Sequence, residues 1–211
     1  MRSEIALKNE ILRGHVGHTV HGINIGGRPV RDELGIFIEP PENVCGISPC
    51  DPYVYRTQPE GVPNRPGDLD LTLYSLREFA HLAARGEPNA VILLCLPEYA
   101  NLSPLGKRLV LLRSAFVGRE AGERFLSHLF SQRIRMIDER TKRISRPELV
   151  KERSFDTILA MNALRIGFAG IEYITQGTIT IPIAEPNLTT LHALRNGEIP
   201  YEDTLQLIRE T

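Results

Sequence analysis

Residues 67–79 read GDLDLTLYSLREF, and the spacing of the apolar residues changes in the middle of this stretch. In its first half, leucines alternate with polar residues, which is the pattern of a strand with one buried face. The alternation places Asp68 and Asp70 together on the polar face. In its second half the apolar residues follow a helical period, and Gly86 is a suitable helix stop. The stretch therefore predicts a strand that carries two carboxylates and leads directly into a helix.

A second strand is predicted upstream, from Val30 to Ile38, where VRDELGIFI has β-branched and aromatic residues at period two. This strand carries Asp32. The segment between the two strands, residues 39–67, contains seven prolines and shows no helical period. We therefore expect a long surface excursion there, of the kind that is often functional or mobile.

Glycines punctuate the stretch from Gly14 to Gly27, which we interpret as loop and turn after a short first helix capped by Ser3. His15, His18 and His21 recur here at every third residue. On a helix this spacing would gather them on one face, where they would form a metal site or grip a phosphate. Between glycines, histidines more often make hydrogen bonds within a loop. Both interpretations stay open at this point.

Downstream of Pro88 the apolar spacing is almost entirely helical. The two clearest stripes are Leu126, Leu129, Phe130, Ile134 and Ile137, and Phe155, Ile158, Leu159, Ala163 and Ile166. A β-type hairpin with a turn at Gln176-Gly177 is predicted around 173–181, before two terminal helices near 187–196 and 200–209. We therefore divide the chain into an α/β core, residues 1–86, and a helical region packed on it, residues 87–211.

The composition favours a soluble, cytoplasmic protein with no membrane partner. Three cysteines are too few for a disulfide framework, and no window approaches the apolar length of a bilayer span. A net charge of −1 gives no general attraction to nucleic acid. Residues 133–146, with six basic and two acidic residues, would suit a phosphate backbone, although such a run is usually solvated helix surface.

Nucleotidyl transfer needs donors that hold phosphates and carboxylates that hold divalent cations. A glycine-bounded turn, Gly17 to Gly22, followed by two acidic strands has the order that this chemistry requires. The longer motifs are LRGHVGHTVHG, RDELGIFIEPPE, YVYRTQPEG, GDLDLTLYSLREF, RPELV and FDTILAMNALRIG. With these motifs the sequence resembles the RNA ligase-associated nucleotidyltransferases of the DNA polymerase β superfamily, a family also found in bacteriophages.

The resemblance covers most of the chain and implies an α/β (α+β) fold. It implies a polymerase β-like nucleotidyltransferase core with a mainly helical C-terminal half, Mg²⁺ or Mn²⁺ as the cofactor, and a nucleoside triphosphate as the substrate. Gly17 matches the glycine of the family's Gly-Ser phosphate turn, and His18 stands at the serine position. Together with Thr19 and Gly22, these residues form the nucleotide-binding turn that the resemblance implies.

The resemblance also assigns the metal-binding strand. Asp32 matches the second aspartate of the family's Asp-x-Asp pair, and Val30 stands at the first. An alternative pair, Asp32 with Glu33, would send the two side chains to opposite faces of the strand unless the strand has a bulge. Asp32 and Glu33 could both simply cap or form salt bridges with Arg28 or Arg31 at the surface, an arrangement that contributes little energy. We favour Asp32 as functional and Glu33 as structural.

Asp70 matches the third carboxylate of the family, and Asp68 on the same face is a further candidate metal ligand. Without the resemblance, both would be interpreted as the solvated face of an edge strand. Arg56, in the YVYRTQPEG motif, and Asp156 are predicted to contact the nucleotide. Ile158 occupies a position where the family has a lysine that would bind phosphate as a point charge.

Two functions follow from these matches. The first is a metal-dependent nucleotidyltransferase that transfers a nucleoside monophosphate from a triphosphate to a hydroxyl acceptor. RNA is the candidate acceptor, RNA repair is the candidate process, and RNA or an RNA ligase is the candidate partner. The second is a catalytically inactive protein of the same fold that binds nucleotide, RNA or a protein partner. Val30, His18 and Ile158 favour the second, because each replaces a group that the chemistry would use.

Overall fold

The structure is a computed structural model that describes residues 2–23, 31–46, 50–62, 64–139 and 147–211. The chain divides into two compact units, Met1–Val117 and Gly118–Thr211. The first combines a sheet with helices, and the described residues of the second form helices without a strand. The predicted class, α/β (α+β) with a mainly helical C-terminal half, is confirmed.

A five-stranded mixed sheet forms the centre of the first unit. Its strands are β1 (Glu10–His15), β2 (Arg31–Phe37), β3 (Tyr53–Arg56), β4 (Leu69–Ser75) and β5 (Asn101–Leu102). Their order in the sheet is β3-β4-β2-β1-β5. Strands β2 and β4 are parallel, and every other neighbouring pair is antiparallel. The two strands predicted from alternation are therefore neighbours at the centre of the sheet.

The leucines of β4 behave as their alternation predicts. Leu71 and Leu73 are buried in a cluster with Phe37 of β2 and Ala6 of the first helix. Asp70 lies on the other face of the same strand, because side chains of successive strand residues point to opposite faces. The hydrophobic face of β4 thus fixes the face on which its carboxylate stands.

Helix α3 (Leu76–Ala84) follows β4 without a loop, as predicted. Ser75 caps it, since its hydroxyl oxygen accepts a hydrogen bond from the backbone N–H of Glu78 at 3.2 Å. This Ser-x-x-Glu spacing is a capping-box sequence. Gly86 ends the helix, and its N–H donates to the carbonyl of Ala83 at 2.9 Å. The abrupt change from strand to helix thus has a local cause.

The described residues of the first unit form four further α-helices: α1 (Arg2–Lys8), α2 (Pro41–Cys45), α4 (Pro88–Cys95) and α5 (Pro104–Leu111). Helix α4 is buried along almost its whole length and packs on β1 and β2, while β5 pairs with β1. Residues 87–117 therefore lie with the sheet, whereas the sequence placed the domain boundary at residue 86. The helical period of α4 and α5 could not reveal that their apolar faces cover strands.

Two predicted irregular stretches contain regular structure. Residues 39–67, expected as an excursion, include α2 and the edge strand β3. Val54 and Tyr55 of β3 are consecutive apolar residues, and both are exposed. The strand therefore lacks the alternation between polar and apolar residues that marks a half-buried strand. The stretch expected to be a helix followed by a loop also contains regular structure. Ile11 and Leu12 are buried in β1, and His18–His21 form a short 3₁₀ turn.

The second unit contains α6 (Arg119–Glu139), α7 (Pro147–Arg153), α8 (Thr157–Gln176), α9 (Asn187–Asn196) and α10 (Tyr201–Glu210). Helices α6 and α8 pack closely because two glycines of α8 leave room for large side chains. A Cβ on Gly170 would lie 2.8 Å from the Cβ of Phe125, and one on Gly167 would lie 2.8 Å from Cδ1 of Leu129. The two terminal helices, α9 and α10, match their predicted positions.

The apolar stripe predicted for α6 is mostly not its buried face. Of its five residues only Leu129 is buried, and Leu126, Phe130 and Ile134 are exposed. The buried face instead consists of Ala121, Phe125, Leu129 and Met136. Helix α6 therefore has more apolar surface than its packing on α8 uses.

The hairpin predicted around 173–181 is wrong, because α8 continues to Gln176. Gly177 follows it in the left-handed conformation, with φ of 73°, and its N–H donates to the carbonyl of Tyr173 at 2.9 Å. Glycine in this conformation is the ordinary end of a helix as well as a turn residue. The sequence at Gln176-Gly177 correctly indicated a glycine with positive φ. It did not distinguish the end of a helix from the turn of a hairpin.

Asp156 caps α8, since its Oδ1 accepts hydrogen bonds from the N–H groups of Ile158 at 2.9 Å and Leu159 at 3.1 Å. We expect Asp156→Ala to lower the free energy of unfolding by about 1–2 kcal/mol, because two backbone donors, that of Leu159 buried and that of Ile158 partly buried, lose their acceptor. Asp156→Asn keeps an acceptor oxygen and should lose less. Urea denaturation of both variants measures the difference, and equal losses would contradict a capping role.

Candidate active site

Asp32 and Asp70 are direct neighbours across the two parallel strands. The register of β2 and β4 pairs Arg31 with Leu69, Asp32 with Asp70 and Glu33 with Leu71. Neighbouring strands lie about 4.8 Å apart, and paired residues point to the same face. The antiparallel register of β3 adds Arg56 beside Asp70 in the same row. Three of the predicted site residues thus form one polar row across three strands.

Gly17 lies against the carboxylate of Asp32. A Cβ at this position would stand 2.6 Å from Oδ2 of Asp32, so a side chain here would displace the carboxylate. The backbone N–H of Val16 donates to the carbonyl of Asp32 at 2.9 Å, which ties the end of β1 to β2 at this point. The predicted phosphate turn and the predicted metal strand therefore meet at Gly17.

The 3₁₀ turn His18–His21 begins immediately after Gly17, which occupies its N-cap position. Gly22 closes the turn with φ of 82°, and its N–H donates to the carbonyl of Thr19 at 3.2 Å. Positive φ at this point favours glycine. The two predicted glycines thus have different tasks, since Gly17 provides space and Gly22 provides a reversal of the chain.

Asp70 is held by two side chains of the β3–β4 hairpin. Its Oδ1 accepts from Nε of Arg56 at 3.2 Å, and its Oδ2 accepts from Nδ2 of Asn64 at 2.7 Å. Arg56 also donates from Nη2 to Oδ1 of Asn64 at 3.2 Å, which closes a triangle of three side chains. Both members of the ion pair are about one-third exposed, 34% for Arg56 and 30% for Asp70. Such an exposed pair contributes at most about 1 kcal/mol, so exchange of its partners costs little.

Asp68 has a different setting from Asp70. Its Oδ2 accepts from the backbone N–H of Arg65 at 2.6 Å and from Nε2 of Gln58 at 2.9 Å. The hydrogen bond from the Arg65 N–H has the largest effect, and together with that from Gln58 it lowers the pKa of the Asp68 carboxyl below its ordinary value. Its carboxylate thus orders the loop between β3 and β4.

Among the described residues, no group of three histidine, cysteine, aspartate or glutamate side chains is arranged to hold a metal ion. Asp32, Asp70 and Asp68 therefore do not form a three-carboxylate cluster in this structure. The pair Asp32 and Asp70 is what the described part of the chain offers a cation. Val30, at the position of the family's first aspartate, lies outside the described residues.

Glu33 points to the opposite face from Asp32, as the strand period requires. It is buried, with 3% of its surface exposed, and accepts from Nη1 of Arg13 at 2.8 Å and Nη2 of Arg31 at 2.6 Å. Nδ1 of His15 lies 3.7 Å from its Oε1. Arg28, the other predicted partner of Glu33, lies outside the described residues. Glu33 is therefore a structural carboxylate on the reverse face of the sheet.

Of the histidines at every third residue, His15 and His21 do not share a helix face, and the side chain of His18 lies outside the described part of the chain. His15 is an exposed residue of β1, whereas His21 is fully buried at the end of the 3₁₀ turn. The described residues give no support for a transition-metal site at this cluster.

The remaining predicted contacts lie elsewhere in the chain. Asp156 is fully buried at the N-cap of α8 in the second unit, and Ile158 lies in the first turn of that helix. Of the basic run 133–146, residues 133–139 form the end of α6 and the rest lie outside the described residues.

Asn64 is the site residue that the sequence did not reveal. It belongs to a proline- and glycine-rich loop, where an asparagine is an ordinary turn residue. Its contact with Asp70 depends on the antiparallel pairing of β3 with β4. Aromatic and β-branched residues in YVYR were the available signal for that strand.

Among the described helices, none is both long and apolar enough to cross a bilayer.

Comparison with known proteins identifies the family of this chain. No curated protein matches the chain. One family model, described as the RNA repair pathway DNA polymerase beta family, matches residues 8–205 of the 211, including the turn and both carboxylate strands. The chain therefore belongs to the RNA repair pathway DNA polymerase beta family, and its function is nucleotidyltransferase-like in general character.

Proposed function

We propose that this protein is a metal-dependent nucleotidyltransferase that transfers a nucleoside monophosphate from a triphosphate to a hydroxyl of RNA. The observation that carries the proposal is the pairing of Asp32 with Asp70 on adjacent parallel strands, with Gly17 against the Asp32 carboxylate. The RNA acceptor is supported by the membership of the family in an RNA repair pathway.

The two carboxylates fit a hard divalent cation such as Mg²⁺ or Mn²⁺, which prefers oxygen ligands. Asp32 and Asp70 would both bind the cation, since their strands are adjacent and their side chains share a face. When bound, the cation supplies positive charge that neutralises the phosphates. The described residues favour a site completed by phosphate oxygens and water, because they contain no cluster of three protein ligands.

Arg56 has two tasks in this proposal. In the structure, Arg56 and Asn64 together satisfy both oxygens of Asp70. Because the exposed pair of Arg56 with Asp70 is readily exchanged, the Arg56 guanidinium would also be placed to pair with a phosphate oxygen of the substrate in a charge-assisted hydrogen bond. The substrate would thus replace Asp70 as the partner of Arg56.

The turn from Gly17 to Gly22 is the proposed phosphate cradle. Its glycine start lets the backbone of the turn lie directly against the Asp32 carboxylate. Thr19 contributes the hydroxyl in this turn. Acceleration would come mainly from fixed charges placed around the transferring phosphoryl group, as is usual for this chemistry.

A second candidate is a catalytically inactive protein of the same fold that binds nucleotide or RNA. It is favoured by the double hydrogen bonding of Asp70 and by the missing three-ligand cluster among the described residues. A lone carboxylate pair would bind a cation weakly and would hold a substrate better than it transforms one.

Incubation with labelled nucleoside triphosphates, Mg²⁺ or Mn²⁺ and an RNA pool separates the two candidates. For the enzyme we expect incorporation into RNA that falls about 100-fold or more in Asp70→Asn and in Asp32→Asn, because metal charge stabilisation amounts to several kcal/mol. Asp203→Asn, an exposed carboxylate in α10, is the matched control and should keep full activity.

Incorporation that survives both substitutions would contradict the proposed site. Nucleotide binding without incorporation would support the inactive candidate. In that case Val30→Asp, which restores the family's first aspartate, should strengthen Mn²⁺ binding measured by titration calorimetry.

Gly17→Ala tests the cradle independently. Its Cβ would fall 2.6 Å from Oδ2 of Asp32, so the turn or the carboxylate must shift. Overpacking of this kind costs about 1–3 kcal/mol, and we expect triphosphate affinity to fall about tenfold or more. Gly118→Ala is the control, because its Cβ would meet nothing within 4 Å. Equal triphosphate affinities in the two variants would show that the turn does not bind the substrate.

A further inference from the structure

The second unit carries an exposed apolar surface along α6 and α8. The residues are Leu126, Phe130 and Ile134 on α6, and Ile171 and Ile174 on α8, with 42–53% of each side chain exposed. They are neighbours along their helices at spacings of three or four residues. A contiguous apolar face of this kind marks an interaction surface.

A groove runs beside this surface between the two helices. Its volume is about 330 Å³, and its lining is mostly apolar, including Leu126, Ile171 and Ile174. Gly122 of α6, one turn before Leu126, lines the groove without a side chain, and a Cβ there would lie 3.4 Å from Cδ1 of Ile174. The groove has the form that receives the side chains of another helix.

The sequence of α6 is arranged symmetrically about His128. Leu126 and Phe130 lie two residues to either side of His128, and Glu123 and Arg133 lie five residues to either side. Suppose that a second copy of α6 packs antiparallel to the first and that both helices are centred on His128. Leu126 of one copy then faces Phe130 of the other, and Glu123 of one copy faces Arg133 of the other. Carboxylate then meets guanidinium at both ends of the contact.

The same arrangement matches shape. Gly122 and Ile134 lie six residues to either side of His128, so the partner's Ile134 would face Gly122 at the groove. Ile134 is 53% exposed in the single chain. A large residue opposite a glycine is the knob-and-hole pairing of closely packed helices.

Arg133 carries a side-chain donor that the described part of the single chain leaves unsatisfied. Its Nε is inaccessible to solvent and has no hydrogen-bond acceptor among the described residues. Buried donors without acceptors are rare, because each costs free energy. Glu123, in contrast, pairs within the described part of the chain with the highly exposed Arg119 of its own helix, at 2.8 Å, and such a pair is readily exchanged.

We propose that two copies of this protein associate through α6, packed antiparallel about a two-fold axis near His128. In this dimer Glu123 pairs with the partner's Arg133, Leu126 packs on the partner's Phe130, and the partner's Ile134 fills the groove beside Gly122. A two-fold contact uses the same patch on both copies, as the symmetric sequence requires.

Charge reversal tests the pairing by sedimentation equilibrium of the full chain. The unchanged chain should reach twice the mass of a monomer as its concentration rises. Glu123→Lys and Arg133→Glu each create two like-charge contacts, so each should raise the dimer dissociation constant at least about tenfold. Arg135→Glu is the control, because it makes the same change about 200° around the helix from Arg133.

Mixing the two single variants is the decisive measurement. In the mixed dimer the Lys of one copy faces the Glu of the other, and the original Glu123 and Arg133 face each other at the second contact. The mixture should therefore dimerise like the unchanged chain although neither variant does so alone, and circular dichroism checks that both remain folded. A chain that is monomeric at every concentration would place another protein on this face, and that result would overturn the proposal. A dimer unaffected by the single changes, or a mixture that stays monomeric, would overturn it equally.

Discussion

The in-register parallel pairing of β2 with β4 is the interaction on which the candidate site depends. All seven residues of one strand pair with all seven of the other, from Arg31 with Leu69 to Phe37 with Ser75. This register sets Asp32 beside Asp70 on one face and Phe37 with the β4 leucines on the other. A slip of one residue would exchange Asp32 for Glu33 at the site, because the side-chain period of a strand is two.

The reverse face of β2 helps to hold that register. Glu33 is buried there between the guanidinium groups of Arg13 and Arg31. A buried charge without its partners is strongly destabilising, so a shifted strand would lose more than hydrophobic contacts. One carboxylate therefore has a structural role on the reverse face, while its neighbour in sequence stands beside Asp70 on the other face. Adjacent acidic residues of a strand are separated in this way by the pleat alone.

The predictions that held rest on local patterns, and those that failed needed knowledge of the neighbouring chain. The spans of β4, α3, α9 and α10 followed from alternation, helical spacing and capping residues. The edge strand β3 exposes Val54, Tyr55 and Arg56, so no alternation in its sequence predicted the pairing with β4. The contact between Asn64 and Asp70 was hidden for the same reason. Gly177 indicated positive φ but not whether a helix or a hairpin contains it.

The sequence by itself determined the polar face of β4, the strand that carries Asp32, the glycine turn and, through its motifs, the family. These features follow from short-range periodicity and conformational preference, which any segment expresses before it meets another. Only the tertiary structure decided that Gly17 lies against Asp32, that Arg56 and Asn64 occupy Asp70, and that residues 87–117 belong with the sheet. Those contacts join residues far apart in the chain, and strand register and packing, not local preference, select them.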